Sequence, residues 1–340
     1  MVYFSCDYAE GCHPKVLEAL TRTNMVSTPG YGEDVYCLEA KAKIRDSIDC
    51  PDADIFFLVG GTQTNQVVID SVLSNFDGVV AADTGHVAVH EAGAIEYSGH
   101  KVITVSGCDG KIVCGQLEDY LKSHFEDPNA EHMVNPGMVY ISYPTEYGTL
   151  YTREELEAIS SICRKYRIPL YIDGARLAYG LAAQSDITMA DIASYADVFY
   201  IGGTKVGALF GEAVVFTKGN TPRHMTTQIK QHGALLAKGR LLGVQFSAMF
   251  TDNLYLEMGK HAVEMAANIR KALKEKGYRL YMENPTNQIF VIMDDVKLKE
   301  FGKDVAYGYW ERYDAEHSVI RIATSWATTE ASVETLISLL

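Results

Sequence analysis

A lysine placed among glycines follows an apolar run in the second half of the chain. Lys205 lies between Gly203 and Gly207 in the segment VFYIGGTKVG. Burial strips a lysine of its hydration and lowers the pKa of its amine. Because a neutral amine is a nucleophile toward carbonyl groups, Lys205 is a candidate for forming a Schiff base. The alternative is an exposed loop lysine without a chemical role.

An acid and an anion site accompany this lysine. Asp173 closes the apolar run PLYID, 32 residues before Lys205, and the turn VGGTQ follows the apolar run DIFFL. A pyridoxal phosphate (PLP) enzyme needs a lysine for the Schiff base, an acid beside the pyridine nitrogen and a cradle for the phosphate. Asp173, Lys205 and the glycine turn meet these three needs, so the sequence predicts PLP as the cofactor.

The glycine turn is a weak signal by itself. Gly61, Thr62 and Gln63 open a segment of helical character, and free amide groups at the start of a helix favour a phosphate. The lysine of a nucleotide-binding Walker motif does not follow, and the spacing lacks the three glycines of a dinucleotide fold. A plain glycine turn with no ligand is the alternative.

Two more polar residues follow apolar runs. His86 comes shortly after GVVAAD, and Glu146 follows MVYIS. If these runs are parallel strands, their carboxyl ends share one edge of the sheet, where ligands bind in such folds. We therefore expect both side chains beside Asp173 and Lys205, with His86 flat on the cofactor ring. The alternative for His86 is an ordinary surface or core histidine.

The elements that must position these residues alternate along the chain. From about residue 55, short β-branched runs and longer amphipathic segments follow one another, as in a parallel sheet with crossover helices. After about residue 240, one long helical stretch precedes the short strands of a smaller α+β unit. The sequence predicts an α/β fold with a large domain over residues 1–245, including an N-terminal arm, and a small domain over 246–340. The predicted strands of the large domain are residues 54–61, 78–83, 137–143, 169–173, 197–203 and 212–216.

The composition limits the partners. The 340 residues carry 44 acidic side chains against 30 Lys and Arg, for a formal net charge of -14. A nucleic-acid binder needs a cationic face, so nucleic acid is not an expected partner. No apolar run reaches the roughly 18 residues that span a bilayer, and the first residues lack a signal-peptide pattern. We expect a cytoplasmic protein with no membrane partner, and its 7 cysteines, which lack CxxC spacing, predict neither disulfides nor a metal site.

Several segments together resemble a known family. They are YGEDVY, GGTQTN, ADTGHVAVHEAGA, YIDGARLAYGLA, YIGGTKVG and VIRIATSWATT, and they extend over nearly the whole chain. This set is similar to the threonine aldolase branch of the PLP-dependent fold type I enzymes, in the aspartate aminotransferase superfamily. The resemblance implies a mostly parallel sheet of seven strands flanked by helices, a smaller C-terminal α+β domain and a homo-oligomer, either a dimer or a tetramer.

The resemblance also implies roles around the cofactor. Lys205 is expected to form the Schiff base, Asp173 to pair with the pyridinium nitrogen and His86 to stack on the ring. Arg176, in the IDGAR motif, is expected next to the cofactor. The residues expected to hold the phosphate are Gly61, Thr62, Gln63 and Thr204.

For the amino-acid substrate, the resemblance implies two arginines and a tyrosine. Arg176 and Arg321 are expected to bind its carboxylate, because a guanidinium matches a carboxylate with two parallel hydrogen bonds. For Arg321, a rim arginine in an edge strand is the alternative. Tyr31 resembles an active-site tyrosine that the family often takes from a neighbouring subunit. In the basic segment KQHGALLAKGR, the three candidates for a further phosphate contact are Lys230, Lys238 and Arg240.

Glu146 departs from the family pattern. Threonine aldolases often carry a histidine after this strand, in contact with the β-hydroxyl group of the substrate. A glutamate can serve there as the general base if burial raises its pKa toward the working pH. It can also disfavour a neutral hydroxylated side chain and select a different substrate. The resemblance is therefore closer for the cofactor than for the substrate.

The leading hypothesis is a PLP-dependent lyase similar to low-specificity L-threonine aldolase. Such an enzyme cleaves β-hydroxy-α-amino acids, threonine and allo-threonine among them, to glycine and an aldehyde. The alternative enzyme is a PLP-dependent β-eliminating lyase that releases pyruvate and ammonia. A PLP-binding protein without turnover and a nucleotide binder of the Rossmann type remain as alternatives from other classes.

Overall fold

The structure is a computed structural model and describes residues 1–183 and 186–340. Its strands are β1 (Val2–Tyr3), β2 (Asp54–Leu58), β3 (Asp77–Ala82), β4 (Lys101–Val105), β5 (Gly107–Cys108), β6 (Lys111–Ile112), β7 (Asn135–Ser142), β8 (Leu170–Asp173), β9 (Val198–Gly202), β10 (Glu212–Phe216), β11 (Arg279–Leu280), β12 (Gln288–Asp294), β13 (Val305–Ala306), β14 (Gly308–Arg312) and β15 (His317–Ala323). Its α-helices are α1 (Pro14–Thr23), α2 (Val35–Ser47), α3 (Gly61–Val72), α4 (His86–Val89), α5 (Ala94–Tyr97), α6 (Cys114–Glu126), α7 (Arg153–Tyr166), α8 (Leu177–Ala183), α9 (Met189–Tyr195), α10 (Met225–Gln231), α11 (Arg240–Met249), α12 (Leu254–Glu275), α13 (Asp295–Phe301) and α14 (Glu330–Leu339), and a 3₁₀ helix spans Ala130–His132.

The central sheet has seven strands in the order β2-β10-β9-β8-β7-β3-β4. The pairs from β9 to β4 are parallel, and β10 runs antiparallel to both β9 and β2. The predicted α/β fold with a mostly parallel sheet is confirmed. Six of the seven strands overlap the predicted segments, whereas the edge strand β4 was missed.

The reversed direction of β10 follows from the length of its connection. The residues that join β9 to β10 are 203–211. A parallel neighbour needs a crossover of about a dozen or more residues, whereas an antiparallel neighbour can follow a short turn. Because β10 reverses, β2 beyond it again runs in the direction of β9. The carboxyl ends of β2 and β9 therefore lie at the same edge of the sheet.

Helices cover both faces of this sheet, so its central strands are apolar on both sides. Every residue of β8 and β9 is buried, as expected for parallel strands without a solvent-facing side. One face packs against α1, α2, α7, α11 and α12, and the other packs against α3 and α10. In the described ranges, none of the helices is long and apolar enough to cross a membrane.

A smaller antiparallel sheet follows, in the order β11-β12-β15-β14. Its strands β12, β14 and β15 are short strands of the kind predicted after the long helical stretch, and α12 and α14 pack on it. The arm at the N-terminus belongs to this unit, because β1 pairs with β13 and Phe4 is buried in the same core. Residue 245 lies within α11, and the domain division near it stays a prediction.

Candidate active site

The carboxyl ends of β2, β3, β7, β8 and β9 meet at one edge of the central sheet. Each end is followed by a residue that the sequence singled out, and these residues line a common cavity: Gly61, His86, Glu146, Asp173, Arg176 and Lys205. A wider cavity of about 520 Å³ shares four of them, His86, Glu146, Arg176 and Lys205. The structure thus brings the predicted strand-end residues together in one place.

Lys205 lies in the loop between β9 and β10. The Tyr179 hydroxyl donates to the Lys205 carbonyl and fixes the backbone there. Among residues 1–183 and 186–340, the ammonium group has no hydrogen bond or salt bridge. Burial and the positive charge of Arg176 lower the pKa of Lys205, although three carboxylates oppose this shift. Lys205 therefore has the properties of an amine nucleophile.

Asp173 ends β8 with both carboxylate oxygens hydrogen-bonded. Oδ2 accepts from the Tyr140 hydroxyl at 2.6 Å and from Asn65 Nδ2 at 3.1 Å. Oδ1 accepts from the Ala175 amide at 3.0 Å. Burial opposes ionisation, but the charge of His86 and the hydrogen bond from Tyr140 keep the pKa of Asp173 below its usual value. The carboxylate stays ionised, as a partner for a protonated pyridine must.

A closed ring of hydrogen bonds connects Asp173 to His86 and Glu146. The His86 amide donates to Glu146 Oε1 at 2.9 Å, and His86 Nδ1 lies 2.7 Å from Glu91 Oε1. The buried Glu91 carboxylate can only accept when ionised, so Nδ1 carries the hydrogen and Nε2 is left without it in the neutral ring. The seven members, each within hydrogen-bond distance of the next, are His86, Glu146, Ser142, Tyr140, Asp173, Asn65 and Glu91.

The hydroxyl contacts of this ring need one more hydrogen than the hydroxyl groups carry. Ser142 Oγ lies 2.6 Å from Glu146 Oε1 and 3.2 Å from the Tyr140 hydroxyl, which lies 2.6 Å from Asp173 Oδ2. These three contacts require three hydrogens, and each hydroxyl supplies one. Burial raises the pKa of Glu146, whereas the pKa of Asp173 is lowered. With Glu146 ionised, Ser142 donates to Glu146 Oε1 and Tyr140 donates to Asp173 Oδ2, and the contact between the two hydroxyls has no hydrogen.

The glycine turn is the start of α3. Gly60 is the N-cap residue and offers no side chain to the first amides, and a Cβ added to it would meet nothing within 4 Å. The amides of Gly61, Thr62 and Gln63 belong to the first helical turn, where no carbonyl of the helix can accept from them. The Gln63 side chain accepts from the Val59 amide at 3.3 Å. Open amides at this position fit a phosphate group.

Thr204 lies beside the lysine, but its hydroxyl is bonded to protein groups. It donates to Glu212 Oε1 at 2.6 Å and accepts from the Gly211 amide at 3.0 Å. A hydroxyl has one hydrogen, so a phosphate at Thr204 competes with Glu212 for it. The role of Thr204 in phosphate binding stays a prediction, and the structure shows Glu212 as its partner.

Arg176 is held by an acid from the N-terminal arm. Its Nε donates to Asp7 Oδ2 at 2.6 Å and its Nη2 donates to Asp7 Oδ1 at 3.0 Å. Asn287 Nδ2 also donates to Asp7 Oδ2, at 2.9 Å. Burial opposes the ionisation of Asp7, but the charges of Arg176, Lys205 and Arg321 and the hydrogen bond from Arg176 together outweigh it and lower the pKa to about 2. The arginine fork is therefore filled, and its Nη1 is the nitrogen left for a ligand.

Substituting Asp7→Asn is expected to lower the free energy of unfolding at pH 7 by about 3 to 5 kcal/mol, because it leaves a buried guanidinium unpaired. In the folded protein the pKa of Asp7 is about 2 instead of 3.8. The stability from its charge, about 2 kcal/mol, is present above about pH 4 and is lost as the pH falls toward 2. Urea unfolding at pH 7 and at pH 3 measures this, and an equal difference between wild type and variant at both pH values would contradict it.

Arg321, in β15, lines the wider cavity. Nη1 donates to Gln288 Oε1 at 3.2 Å, and Nη2 donates to the Ser5 carbonyl at 3.0 Å. Its Nε is buried without a partner among the described residues. β15 lies between β12 and β14, so the alternative of an arginine in an edge strand is wrong. Of the five N–H groups of a guanidinium, Arg321 uses two here and keeps three, one on each nitrogen, whereas the three that Arg176 keeps are on Nη1 and Nη2.

The remaining predicted residues lie outside the two cavities described above. Tyr31 is 51% exposed, and Lys230 Nζ lies 4.9 Å from the centre of its ring. Lys238 is exposed, and Arg240 donates to two backbone carbonyls near α1. The contribution of Tyr31 from a neighbouring subunit stays a prediction, as does a phosphate contact from this basic segment.

Sequence patterns did not indicate the residues that hydrogen-bond to the strand-end residues of the site. Asp7 lies in a stretch without a motif, and Asn65 and Tyr140 lie in segments interpreted only as helix and strand. Glu212 had one usable signal, an acid directly before the apolar run AVVF. The missed residues are Asp7, Asn65, Glu91, Tyr140, Ser142, Glu212 and Tyr200, whose side chain also hydrogen-bonds to Asp173.

The chain is similar to known proteins over nearly its full length. A family model described as β-eliminating lyase matches residues 7–296. A low-specificity L-threonine aldolase from a Pseudomonas species is 28% identical over 339 residues, which cover 98% of this chain and 95% of that protein. The resemblance inferred from the motifs is confirmed.

Solved structures agree with this similarity. The structure of Leishmania major threonine aldolase has a TM-score of 0.96 at 41% identity, and the match covers 100% of this chain and 98% of that one. Aspartate aminotransferase from Thermus thermophilus has a TM-score of 0.71 at 15% identity, with 100% and 90% of the two chains covered. The second likeness shows the fold alone, and it confirms the predicted fold class.

Proposed function

Because the chain belongs to the β-eliminating lyase family, we propose that it is a PLP-dependent lyase of the threonine aldolase type. Its substrates are β-hydroxy-α-amino acids such as threonine and allo-threonine, and its products are glycine and an aldehyde. The observation that carries the proposal is the convergence of Gly61, His86, Asp173 and Lys205 on one cavity. The names of the similar proteins from Pseudomonas and Leishmania major support the choice of substrate.

The residues around the smaller cavity fit PLP. The open amides at the start of α3 suit the phosphate, and the ionised Asp173 suits the pyridine nitrogen. Lys205 supplies the amine that binds the aldehyde, and His86 supplies a flat ring for stacking. When bound, PLP provides an electron sink for the bond at the substrate Cα that breaks.

The wider cavity supplies the site for the substrate carboxylate. Arg321 has a buried Nε without a partner among the described residues, and Arg176 has its Nη1 left after pairing with Asp7. Two guanidinium groups on one cavity fix a carboxylate in one orientation. That orientation selects which bond at Cα lies perpendicular to the cofactor ring, and so which bond breaks.

Glu146 is the candidate base that takes the proton from the β-hydroxyl group of the substrate. Cleavage of the Cα–Cβ bond to an aldehyde requires that this proton leave. Glu146 is buried, lines both cavities and has a raised pKa. In its ionised form it accepts the proton, and in its protonated form it supplies the third hydrogen that the contacts of Ser142 and Tyr140 require. A glutamate thus replaces the histidine of the family pattern.

The Glu146→Gln variant is expected to lower kcat by about 100- to 1,000-fold, because an amide cannot take up the proton. Since burial raises the pKa of Glu146, kcat/KM of the wild type should rise with pH through a value above that of an ordinary glutamate. Steady-state rates between pH 5 and 9 measure both effects. Glu311→Gln, which changes another acid of the wider cavity, is the control, and a Glu146→Gln profile identical to the wild-type profile would remove Glu146 from the mechanism.

A second candidate is a β-eliminating lyase that releases pyruvate and ammonia. Glu146 favours it, because a carboxyl group replaces the neutral imidazole expected for contact with a hydroxylated side chain. In this reaction the Cα–H bond breaks and the leaving group departs from Cβ, and Lys205 would take up the proton from Cα. The two candidates share the cofactor residues and differ in their products.

We expect a homo-oligomer, as a dimer or a tetramer. Tyr31 lies on the surface, and the stretch of chain around it carries exposed apolar side chains: Met25 is 89%, Val35 62% and Leu38 58% exposed. Exposed apolar groups near one another mark a surface that another protein covers. Light scattering of the purified protein measures the mass, and a monomer of 37.6 kDa would contradict this expectation.

The proposed function is tested with PLP and one substrate. The apoprotein should take up PLP, and the loaded protein should convert L-threonine to glycine and acetaldehyde, each detected by mass spectrometry. Uptake of PLP without product formation from any β-hydroxy-α-amino acid would support a binding protein instead.

A further inference from the structure

A buried carboxylate at the base of the lysine loop takes no part in the chemistry described so far. Glu212, the first residue of β10, is 3% exposed. Its Oε2 accepts from the Gly203 amide at 2.9 Å, and its Oε1 accepts from the Thr204 hydroxyl at 2.6 Å. Gly203 and Thr204 are the two residues directly before Lys205, so Glu212 contacts the backbone that carries the lysine.

The loop does not need a charged group to close. The amides of Gly203 and Thr204 also donate to the Gly211 carbonyl, at 3.0 and 3.1 Å. The Tyr179 hydroxyl donates to the Lys205 carbonyl. A neutral acceptor in place of Glu212 would complete the same turn, and a buried carboxylate costs more to desolvate than a neutral side chain. The position of a carboxylate here therefore calls for an electrostatic explanation.

Three carboxylates oppose the lowered pKa of Lys205, and in decreasing order of effect they belong to Asp7, Asp173 and Glu212. Glu212 is the one of the three that is bonded to the loop carrying the lysine. Asp7 is paired with Arg176, and Asp173 is bonded to Asn65 and Tyr140. Glu212 makes no salt bridge among the residues that the structure describes. Lys205 is the cation whose charge acts on the ionisation of Glu212.

The surroundings of Glu212 bring its pKa close to neutral pH, so that its charge depends on pH there. Burial raises the pKa of Glu212 to about 7, although the hydrogen bonds from Thr204 and Gly203 and the charge of Lys205 oppose this. The other groups that face it are the carboxylate of Asp173 and the buried phenols of three tyrosines. These tyrosines are Tyr171, Tyr200 and Tyr255. Burial and neighbouring carboxylates raise the pKa of all three phenols, so they stay neutral near pH 7 and Glu212 is the group that changes charge.

We propose that Glu212 is a positioning residue that holds the lysine loop and supplies one of the negative charges that favour the ammonium form of Lys205. This proposal rests on the proposed function only because Lys205 must be a free amine to react with a carbonyl group. An ionised Glu212 favours the ammonium form. Protonation or removal of this carboxyl favours the free amine, which reacts with the aldehyde of the cofactor.

The Glu212→Gln variant is expected to shift the deprotonation of Lys205 to lower pH by about one unit, which is a tenfold increase in free amine at a fixed pH below the midpoint. Glutamine keeps the size of the side chain and one acceptor for the loop. Thr204→Val is expected to shift it in the same direction by less, because it removes a hydrogen bond that stabilises the ionised Glu212.

The experiment uses the apoprotein and a short pulse of acetic anhydride at pH values from 6 to 10, with the acetylated fraction of the Lys205 peptide measured by mass spectrometry. Asp70→Asn is the matched control. Asp70 lies in α3, is partly buried, and pairs with His100 and His232. It is not among the charged groups that face Lys205. This variant should leave the Lys205 midpoint unchanged.

A Lys205 midpoint that is the same in wild type and in Glu212→Gln, or higher in the variant, would overturn the proposal. If Glu212→Gln does not fold, Thr204→Val answers the same question, and an unchanged midpoint in it has the same consequence. The assay needs no turnover, so its result does not depend on whether the protein is an aldolase. An unchanged Lys205 midpoint would likewise leave the aldolase assignment unaffected.

Discussion

Substituting Lys205→Ala is expected to lower turnover of a β-hydroxy-α-amino acid by at least about four orders of magnitude. The alanine removes the amine that binds the cofactor aldehyde, and loss of a covalent nucleophile has effects of this size in other enzymes. Borohydride reduction of the PLP-loaded wild type should add the mass of the reduced cofactor to the Lys205 peptide. The variant should show no such addition at any lysine.

Lys111→Ala is the matched control for this substitution. Lys111 is also partly buried, and its Nζ pairs with Glu155 at 2.7 Å, outside both cavities. It should retain turnover and the cofactor adduct on Lys205. If Lys205→Ala kept more than about one hundredth of the wild-type rate, a covalent role for this lysine would be wrong.

Substituting Asp173→Asn is expected to lower turnover by about 1,000-fold or more. The side chain keeps its size, but it can no longer carry the negative charge that holds a proton on the pyridine nitrogen, and the electron sink weakens. Its amide group would also face the donors Tyr140 and Asn65, where the carboxylate oxygens now accept. Steady-state rates, together with the PLP dissociation constant, separate the loss of chemistry from the loss of binding.

Asp197→Asn provides the comparison at the opposite end of the sheet. Asp197 directly precedes β9, and its Oδ2 accepts from the Leu170 amide at 2.8 Å. Its loss should lower stability and leave turnover of the loaded protein within about threefold. Equal losses of turnover in the two variants would show that Asp173 acts through stability alone.

The strand-end residues could be predicted because each follows an apolar run. Asp173 and Lys205 stand out as charges at the end of segments that are otherwise buried, and the parallel topology brings such ends to one edge. β10 shows where this pattern is incomplete. Its composition predicted a strand, but its direction depends on the nine-residue connection 203–211.

The supporting groups could not be predicted, because their partners are distant in the chain. Asp7 and Arg176 are 169 positions apart, and Asn65 and Asp173 are 108 positions apart. No local pattern marks such pairs. The hydroxyl of Thr204 illustrates the same limit, because its residue type suits a phosphate, whereas its bond to Glu212 depends on how the loop folds back on β10.

Cleavage of the Cα–Cβ bond of a β-hydroxy-α-amino acid at this site can be measured from its products. PLP-saturated protein is incubated with a panel of L- and D-β-hydroxy-α-amino acids, serine and cysteine, and every product is identified by mass spectrometry. We expect glycine and the matching aldehyde from threonine or allo-threonine, with the Lys205→Ala protein as the blank. Pyruvate and ammonia from serine or cysteine, without glycine from any member of the panel, would contradict this expectation and assign the site to β-elimination.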